Sequence, residues 1–351
     1  MNSVRLLTLV TLATAIAASV AVSADIPVSA DLPAEVMLFQ SGEHGYPRYR
    51  IPVLLTANDG TVLAFCEGRK DGGGLTGNID IVVRRSRDSG KSWDPVETIL
   101  NDGTDTLGNP CPVIDRSTGT IWMALTRSPG DQLEKDIVSG KSEERTRILL
   151  THSVDHGASW SQPVDLSRQL RRDDWAWYGA GPGIGVQLRD GRLVLPCYHT
   201  VLPSAEFPEG DYQSHMIFSD DHGKTWQLGE TVSPNTSECT IAERRDGSLY
   251  FNGRTVFREQ RRTIAVSQNR GGSWSDVTLS DLYDPPCQGA LLVLNRADDE
   301  SPIWLFSNPS GPGRRNLTVR ISHDEGRRWP VARKISTGDN QYSSLTELPD
   351  G

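Results

Sequence analysis

Five copies of one short motif recur along the 351-residue chain, and they constrain its fold more than any other feature. The motif is Ser-x-Asp-x-Gly-x-Ser-Trp, in which single copies replace Asp by Asn and the second Ser by Thr or Arg. The copies begin at Ser86, Ser153, Ser219, Ser267 and Ser322, so that 48 to 67 residues separate them. Such periods are typical of propellers and other repeat architectures.

Each copy follows a short run that predicts a β-strand: IDIVVRRS, RILLTHS, HMIFS, TIAVS and LTVRIS. Asp or Asn followed two residues later by Gly favours a tight turn, and the Trp is placed to pack that turn against its sheet. Further predicted strand pairs lie between the copies of the motif. No amphipathic pattern long enough to predict a helix appears after the N-terminal apolar segment. We therefore expect an all-β fold with one four-stranded unit per repeat.

The chain is acidic, with 36 Lys and Arg against 45 Asp and Glu and a net charge of -9. Nucleic acids and anionic membranes are bound by clustered Lys and Arg, so we expect neither as a partner. Any anion that this protein binds must be met by arginines placed locally.

The five cysteines are scattered, odd in number and without C-x-x-C spacing: Cys66, Cys111, Cys197, Cys239 and Cys287. This pattern argues against a disulfide framework, although one or two bridges are compatible with it. It also argues against a zinc site, and we expect no metal.

Residues 1–24 resemble a secretory signal peptide. Arg5 supplies the positive region, an apolar run extends from Leu6 to about Val22, and small residues end at Ala24. The alternative is an uncleaved membrane anchor, because the run approaches spanning length. We expect cleavage, secretion or periplasmic export without stable membrane insertion, and one mature domain over residues 25–351.

The repeated turns resemble the Asp-boxes, or BNR repeats, of the sialidase (neuraminidase) family, including bacterial exo-α-sialidases. The resemblance extends over residues 44–351 and implies a six-bladed β-propeller. It does not by itself imply an activity, because Asp-box propellers also serve non-catalytic roles. A sialic acid carries a carboxylate on its anomeric carbon, which favours arginines as binding groups and a neutral nucleophile such as Tyr.

Two segments near the start of the mature chain resemble the family's binding site. The motif Arg-Ile-Pro at 50–52 implies that Arg50 is the first of three carboxylate-binding arginines. Arg69, in Glu-Gly-Arg at 67–69, adds positive charge beside the site or, equally well, is a surface arginine at a strand end.

The segments NTSE at 235–238 and LYFNGR at 249–254 resemble the family's Asn-Glu and Leu-Leu-Asn-x-Arg segments. The resemblance implies that Glu238 is the base that activates the nucleophile and that Arg254 is the second arginine. Glu243 competes with Glu238, but it precedes a turn and is more simply a solvated strand residue.

The last part of the chain resembles the segments that carry the third arginine and the nucleophile. We expect Arg315 to be the third arginine, with Arg314 as the alternative. Tyr342, in Tyr-Ser-Ser-Leu at 342–345, corresponds to the nucleophile.

The chain departs from the family pattern at the general acid. The family places an Asp about 24 or 25 residues after the first arginine, where this chain has Gly74 and Leu75. Asp71 is our candidate for a substitute, because the glycines that follow it would let the loop fold inward. Asp80 is the other nearby carboxylate, and its place in a strand indicates a structural role.

A second departure is the end of the sequence. Residues 348–351, Leu-Pro-Asp-Gly, are typical of a hairpin turn, but no strand follows them. The last blade is therefore expected to be truncated, because the sequence is a fragment or because the blade is completed in another way.

The leading hypothesis is an exo-α-sialidase, a retaining glycoside hydrolase that acts on sialylated glycans, glycoproteins or glycolipids without a cofactor. The alternative is a non-hydrolytic propeller that binds sialic acid or another carboxylated sugar and lacks the acid/base. A purely structural Asp-box scaffold ranks third.

Overall fold

The computed structural model describes residues 4–6, 24–26, 35–72, 74–204, 211–256, 259–294 and 302–349. These residues form 24 strands and two short helices, α1 (Glu134–Val138) and α2 (Ser167–Leu170). The prediction of an all-β fold is confirmed. The predicted signal peptide over residues 1–24 lies largely outside the described residues, and so do Asp350 and Gly351 at the predicted final turn.

Three short strands precede the repeated part: β1 (Val4–Leu6), β2 (Ala24–Ile26) and β3 (Val36–Phe39). The first repeated unit contains β4 (Arg48–Thr56), β5 (Val62–Arg69), β6 (Ile79–Ser86) and β7 (Glu97–Leu100). The second contains β8 (Thr106–Ile114), β9 (Ile121–Ser128), β10 (Arg147–Ser153) and β11 (Val164–Asp165). The third contains β12 (Trp175–Ala180), β13 (Val186–Gln187), β14 (Leu193–Val201), β15 (Asp211–Ser219) and β16 (Gln227–Leu228).

The fourth unit contains β17 (Cys239–Glu243), β18 (Leu249–Gly253), β19 (Arg261–Ser267) and β20 (Thr278–Tyr283). The fifth contains β21 (Ala290–Leu294), β22 (Ile303–Gly311), β23 (Arg315–Ser322) and β24 (Val331–Lys334). Sequence neighbours pair antiparallel within each unit, except that β12 and β13 both pair with β14. Outside this pattern, β1 pairs with β3 and β2 pairs parallel with β24.

The repeated motif forms the turn between the last two strands of each unit. In the first copy, Ser86 Oγ accepts a hydrogen bond from Gly90 N at 2.8 Å, and Asp88 accepts one from Ser92 N at 2.8 Å. Ser89 and Gly90 have φ angles of 56° and 83°, the left-handed region that a tight turn requires. The same contacts recur in the other four copies.

These turns also hold successive units together. A Cβ on Gly223, in the third unit, would lie 2.1 Å from the Trp122 ring of the second unit. Only glycine allows that close approach. Trp160, in the motif of the second unit, packs edge-on against Phe65 of the first at 5.7 Å between ring centroids. The core therefore continues from unit to unit in chain order.

The segment 341–347 joins the fifth unit to the first. Ser343 Oγ donates a hydrogen bond to Ser307 O in β22 at 3.1 Å, and Leu54 N in β4 donates one to Ser344 Oγ at 2.9 Å. Thr56 Oγ1 donates a further bond to Glu347 O at 2.6 Å. The residue just before these anchors, Tyr342, is thereby fixed between the two units.

All five cysteines are buried and none forms a disulfide. No helix among the described residues is long and apolar enough to cross a membrane.

Candidate active site

A pocket of about 270 Å³ collects side chains from all five units. Its charged residues come from β4 and β5, from α1, from the positions next to β17 and β18, and from the turn before β23. Arginines and carboxylates dominate its wall: Arg50, Glu67, Arg69, Glu134, Glu238, Arg254 and Arg314. Such a convergence of charged groups in one concavity is typical of a binding or catalytic site.

Arg50 is directed into the pocket by a bulge in β4. The pairing of β4 with β5 shifts register between Arg50 and Val53, and Ile51 has a φ of 61°. A positive φ is a clear departure for a β-branched residue, and bulges reorient side chains next to active sites. Pro52 suits the unpaired position because it has no N–H to satisfy. The Arg-Ile-Pro motif is therefore the device that positions Arg50.

Glu238 immediately precedes β17, and Arg254 immediately follows β18, so that the two residues face each other. Arg254 N donates to Glu238 O at 2.9 Å, which extends the strand pairing by one residue. Their side chains meet as well, with 2.7 Å between Arg254 Nη1 and Glu238 Oε2. Burial would lower the pKa of Arg254, but Glu238 and Tyr342 outweigh burial and raise it. Arg254 is therefore firmly cationic.

Tyr342 completes a three-residue cluster with this pair. Its hydroxyl donates a short hydrogen bond to Glu238 Oε1, and Arg254 Nη1 lies 3.3 Å from the Tyr342 oxygen. Burial, followed by the negative charge of Glu238, raises the pKa of Tyr342 well above its usual value of 10. The phenol therefore stays protonated at rest, and Glu238 is the group placed to take its proton.

The structure corrects the assignment of the third arginine. Arg314 lines the pocket, with its guanidinium carbon 5.9 Å from the centre of the Tyr342 ring. Arg315 is exposed, and its Nε lies 3.9 Å from Asp339. Arg315 is the first residue of β23, whereas Arg314 ends the turn before it with a φ of 60°. The side chains of neighbouring residues at such a point diverge, and Arg314 replaces Arg315 as our candidate.

Arg314 is held in place by its neighbours. Its Nη2 donates to Pro286 O at 2.6 Å, and its carbonyl accepts a hydrogen bond from Asn340 N at 2.8 Å. The turn that carries Arg314 is thus fastened to the segment that carries Tyr342.

The arginines carry positive charge that the described residues leave partly uncompensated. Burial lowers the pKa of Arg50, and the nearby guanidiniums of Arg69 and Arg314 lower it further. Arg50 Nη2 donates to Gln341 Oε1 at 3.0 Å, but neither Arg50 nor Arg314 pairs with a described carboxylate. Clustered cations without counterions favour an anionic ligand, and planar guanidiniums suit a carboxylate.

We expect Arg314→Lys to weaken the binding and the turnover of a sugar that carries a carboxylate. A point charge cannot reproduce the two-pronged contact of a guanidinium, and a lost hydrogen bond to a charged group corresponds to about 10- to 100-fold. Arg315→Lys is the matched control and should resemble the wild type, since Arg315 is exposed. Calorimetric affinity and kcat/KM of both variants test the assignment, and equal losses in the two variants would contradict it.

Arg69 lines the pocket, so its interpretation as a surface arginine is wrong. It is buried, and its Nη2 lies 2.5 Å from Glu67 Oε2. Its Nη1 also donates to Gly74 O, which ties the following loop to the wall. Glu67 accepts a second hydrogen bond from Asn109 N at 2.8 Å. Arg69 therefore contributes positive charge that Glu67 largely balances.

Asp71, our candidate acid, does not line the pocket in the structure. Its carboxylate is exposed and accepts a hydrogen bond from Asn78 N at 2.7 Å, which closes the base of its own loop. Leu75 from that loop lines the pocket instead, with 57% of its surface exposed. Asp80 is buried, bound to Tyr46 Oη and Lys70 Nζ at 2.7 Å each, as expected of a structural residue. Glu243 lies outside the pocket and pairs with Arg189.

Glu134 is a pocket residue that sequence reasoning did not identify. It begins α1, in the long connection between β9 and β10, where the repeat pattern carries no information. Burial, followed by the charge of Glu238, raises its pKa, and Arg254 opposes that rise. The length of this connection was the only signal in the sequence, and it does not indicate which residue faces inward.

One protein family and several known proteins are similar to this chain. Residues 60–351 match the family of the BNR repeat-like domain. The chain is 32% identical to the sialidase of Micromonospora viridifaciens over 338 residues, which cover 89% of this chain and 50% of that protein. It is 30% identical to the exo-alpha-sialidase of Aspergillus fumigatus over 331 residues, which cover 87% of this chain and 77% of that protein.

Solved structures of a sialidase and of a trans-sialidase also superpose on this chain. The Hadza microbial sialidase Hz136 superposes with a TM-score of 0.77 at 29% identity, covering 85% of this chain and 61% of that one. A leech intramolecular trans-sialidase superposes with a TM-score of 0.74 at 19% identity, which shows the fold alone. The chain spans half the length of the Micromonospora protein. From its Asp-box turns, its pocket and these matches, we conclude that the chain belongs to the sialidase family of BNR-repeat β-propellers.

Proposed function

We propose that this protein is an exo-α-sialidase that hydrolyses terminal sialic acids from glycoconjugates with retention of configuration. The observation that carries the proposal is the hydrogen bond from Tyr342 to Glu238 beside Arg50, Arg254 and Arg314. A neutral nucleophile with a paired base is the chemistry that a carboxylated anomeric carbon requires, because the substrate would repel a carboxylate nucleophile. The mechanism needs no metal or organic cofactor.

The three arginines would hold the substrate carboxylate while Tyr342 attacks the anomeric carbon. Glu238 takes the phenolic proton as the C–O bond to the Tyr342 oxygen forms and the glycosidic bond breaks, and the departing oxygen takes a proton from solvent. Water then attacks the same carbon and loses a proton to solvent as it displaces the Tyr342 oxygen, which recovers its own proton from Glu238. Two successive inversions give the retained configuration.

We further propose that the ring has six blades, the sixth beginning with the segment 341–347. The serine hydroxyls of this segment hydrogen-bond to both β22 and β4, which supports an inner strand between the fifth and first units. The protein is also proposed to be exported after cleavage at Ala24. The mass of the mature N-terminus tests this, and an intact Met1 in a cytosolic fraction would exclude it.

A sialic-acid-binding propeller without hydrolysis is the second candidate. The observation that favours it is Leu75, an apolar side chain at the place in the loop where the family supplies its acid.

Two assays on one preparation distinguish the candidates. An exo-α-sialidase should release free sialic acid from a nitrophenyl sialoside and, more slowly, from sialyllactose. A binding protein should be retained on an immobilised sialoside and release nothing, whereas neither release nor retention would exclude both.

A further inference from the structure

Two fully buried charges in the fourth unit, Arg262 and Asp284, form an ion pair. Arg262 is the second residue of β19, Asp284 follows β20, and 3.1 Å separates Arg262 Nη1 from Asp284 Oδ2. Neither is among the described residues that line the pocket. Apolar side chains of similar volume often stabilise a core as well as a buried ion pair does. Stability alone is therefore a weak explanation for this pair.

Arg262 binds the strand that leads to Arg254. Its Nε donates to Asn252 Oδ1 at 2.7 Å, and its Nη2 donates to Asn252 O at 3.2 Å. Asn252 lies in β18, two residues before Arg254, which in turn contacts Glu238 and Tyr342. The buried guanidinium thus fixes the backbone that directs Arg254 into the pocket.

The same guanidinium binds the loop at 284–288, which connects β20 to β21. Arg262 Nη1 donates to Cys287 O at 2.7 Å as well as to Asp284. Asp284 Oδ1 accepts a hydrogen bond from Cys287 N at 3.3 Å, so that both backbone groups of Cys287 are held. A guanidinium presents five donors in a fixed fork, whereas a lysine has a single ammonium and could not bind Asn252 and Cys287 together.

This loop carries two contacts to the candidate site. Pro286 O accepts the hydrogen bond from Arg314 Nη2 at 2.6 Å. Gln288 Oε1 accepts one at 3.2 Å from the backbone N–H of Ser343, the residue after Tyr342. A displacement of the loop would therefore move the third arginine and the nucleophile together.

We propose that Arg262, with Asp284 as its counterion, is a positioning residue for the site. It acts through the backbone of β18 and of the loop on three groups, whose roles rest on the proposed function: Arg254, Arg314 and Tyr342. An apolar pair would fill the same space but would leave both segments free to shift. A misplacement of about 1 Å at a reacting group can reduce a rate about 100-fold.

Replacement of both charges tests the proposal. Arg262→Met/Asp284→Leu leaves no buried charge unpaired, so it should fold with a Tm close to that of the wild type. Arg85→Met is the matched control, since Arg85 is also buried and binds a carboxylate, that of Glu97, and a carbonyl, Gly157 O at 2.8 and 2.6 Å. Circular dichroism gives each Tm. Kinetics with a nitrophenyl sialoside and calorimetry with an unsaturated sialic acid analogue follow at a temperature where every variant is folded.

We expect kcat/KM of the double variant to fall about 100-fold. The Kd of the analogue should rise by a smaller factor, because the larger effect should be on kcat, through the alignment of Tyr342 with Glu238. Arg85→Met should lower the Tm and keep the wild-type kcat, KM and Kd. Wild-type kinetics and affinity in the double variant, or equal losses in the control, would overturn the proposal.

A double-mutant cycle separates positioning from a general loosening of the fold. In an Arg314→Ala background, the two pair substitutions should weaken binding of the analogue by less than they do in the wild type, because one of the groups they position is gone. Full additivity would contradict the proposal. If the double variant does not fold, Arg262→Lys takes its place, since it keeps the charge beside Asp284 but not the bonds to Asn252. Its kcat should fall, and a wild-type kcat would overturn the proposal.

Failure of the proposed function gives a different result. A wild type that binds the analogue but hydrolyses nothing would contradict that function alone, because the Kd values still test how Arg254 and Arg314 are positioned. Absence of any binding by the wild type would overturn both proposals.

Discussion

Tyr342→Phe is expected to reduce the turnover of sialosides by several orders of magnitude while the protein stays folded. The substitution removes only the phenolic oxygen, which is the proposed nucleophile and the donor to Glu238. The covalent route is lost with that oxygen, and Tyr342 is the hydroxyl that contacts both Glu238 and Arg254. Binding should persist, because the three arginines remain.

Steady-state kinetics with a nitrophenyl sialoside give the turnover, and calorimetry with an unsaturated sialic acid analogue gives the affinity. Tyr178→Phe is the matched control, since its hydroxyl is buried away from the pocket and has no described partner. The control should keep wild-type kinetics. Normal turnover by Tyr342→Phe would show that the site has been assigned to the wrong residue.

The repeat and its turn chemistry could be predicted from sequence because they are local. Ser, Asp and Gly within eight residues determine the hydrogen bonds of each turn, and the structure has those bonds in all five copies. The central cluster could be predicted only through the resemblance to a family. Glu238 and Tyr342 are 104 residues apart, and no periodicity relates them.

Two predicted site residues, Arg315 and Asp71, do not line the pocket, and both differences have a common physical origin. Whether Arg314 or Arg315 faces the pocket depends on which residue starts β23, and a shift of one residue reverses the direction of a strand side chain. Asp71 was expected to fold inward because glycines follow it. The glycines permit several loop conformations, and the bond between Asp71 and Asn78 N decides among them. Both outcomes depend on backbone angles that residue types do not determine.

Leu75→Asp is expected to increase the hydrolysis of natural sialosides, which the wild type should cleave poorly. Expelling a sugar alkoxide requires a proton, and general acid catalysis typically supplies about 10²- to 10⁴-fold. Leu75 lines the pocket on the loop where the family places its acid, and it is largely exposed. An Asp at position 75 would be placed to protonate the leaving group. The substitution should have little effect on stability, because Leu75 is largely exposed and its removal leaves no cavity.

The measurement compares kcat/KM for sialyllactose with kcat/KM for a nitrophenyl sialoside, whose leaving group needs little protonation. The wild type should strongly favour the nitrophenyl substrate. In Leu75→Asp the ratio of the two kcat/KM values should fall by at least about tenfold, within the range that general acids supply. Leu279→Asp, an equivalent change at an exposed leucine of β20, is the control and should change neither rate. Asp71→Ala should also leave the preference unchanged, because its carboxylate only closes the loop.

Efficient cleavage of sialyllactose by the wild type would contradict this account, because it would require an acid that the loop does not provide. Loss of that cleavage in Asp71→Ala would restore Asp71 as the acid, by way of a loop movement on binding. Loss in Glu134→Gln instead would assign the proton to Glu134. The ratio between the two substrates thus locates the acid, because only protonation of the leaving group differs between them.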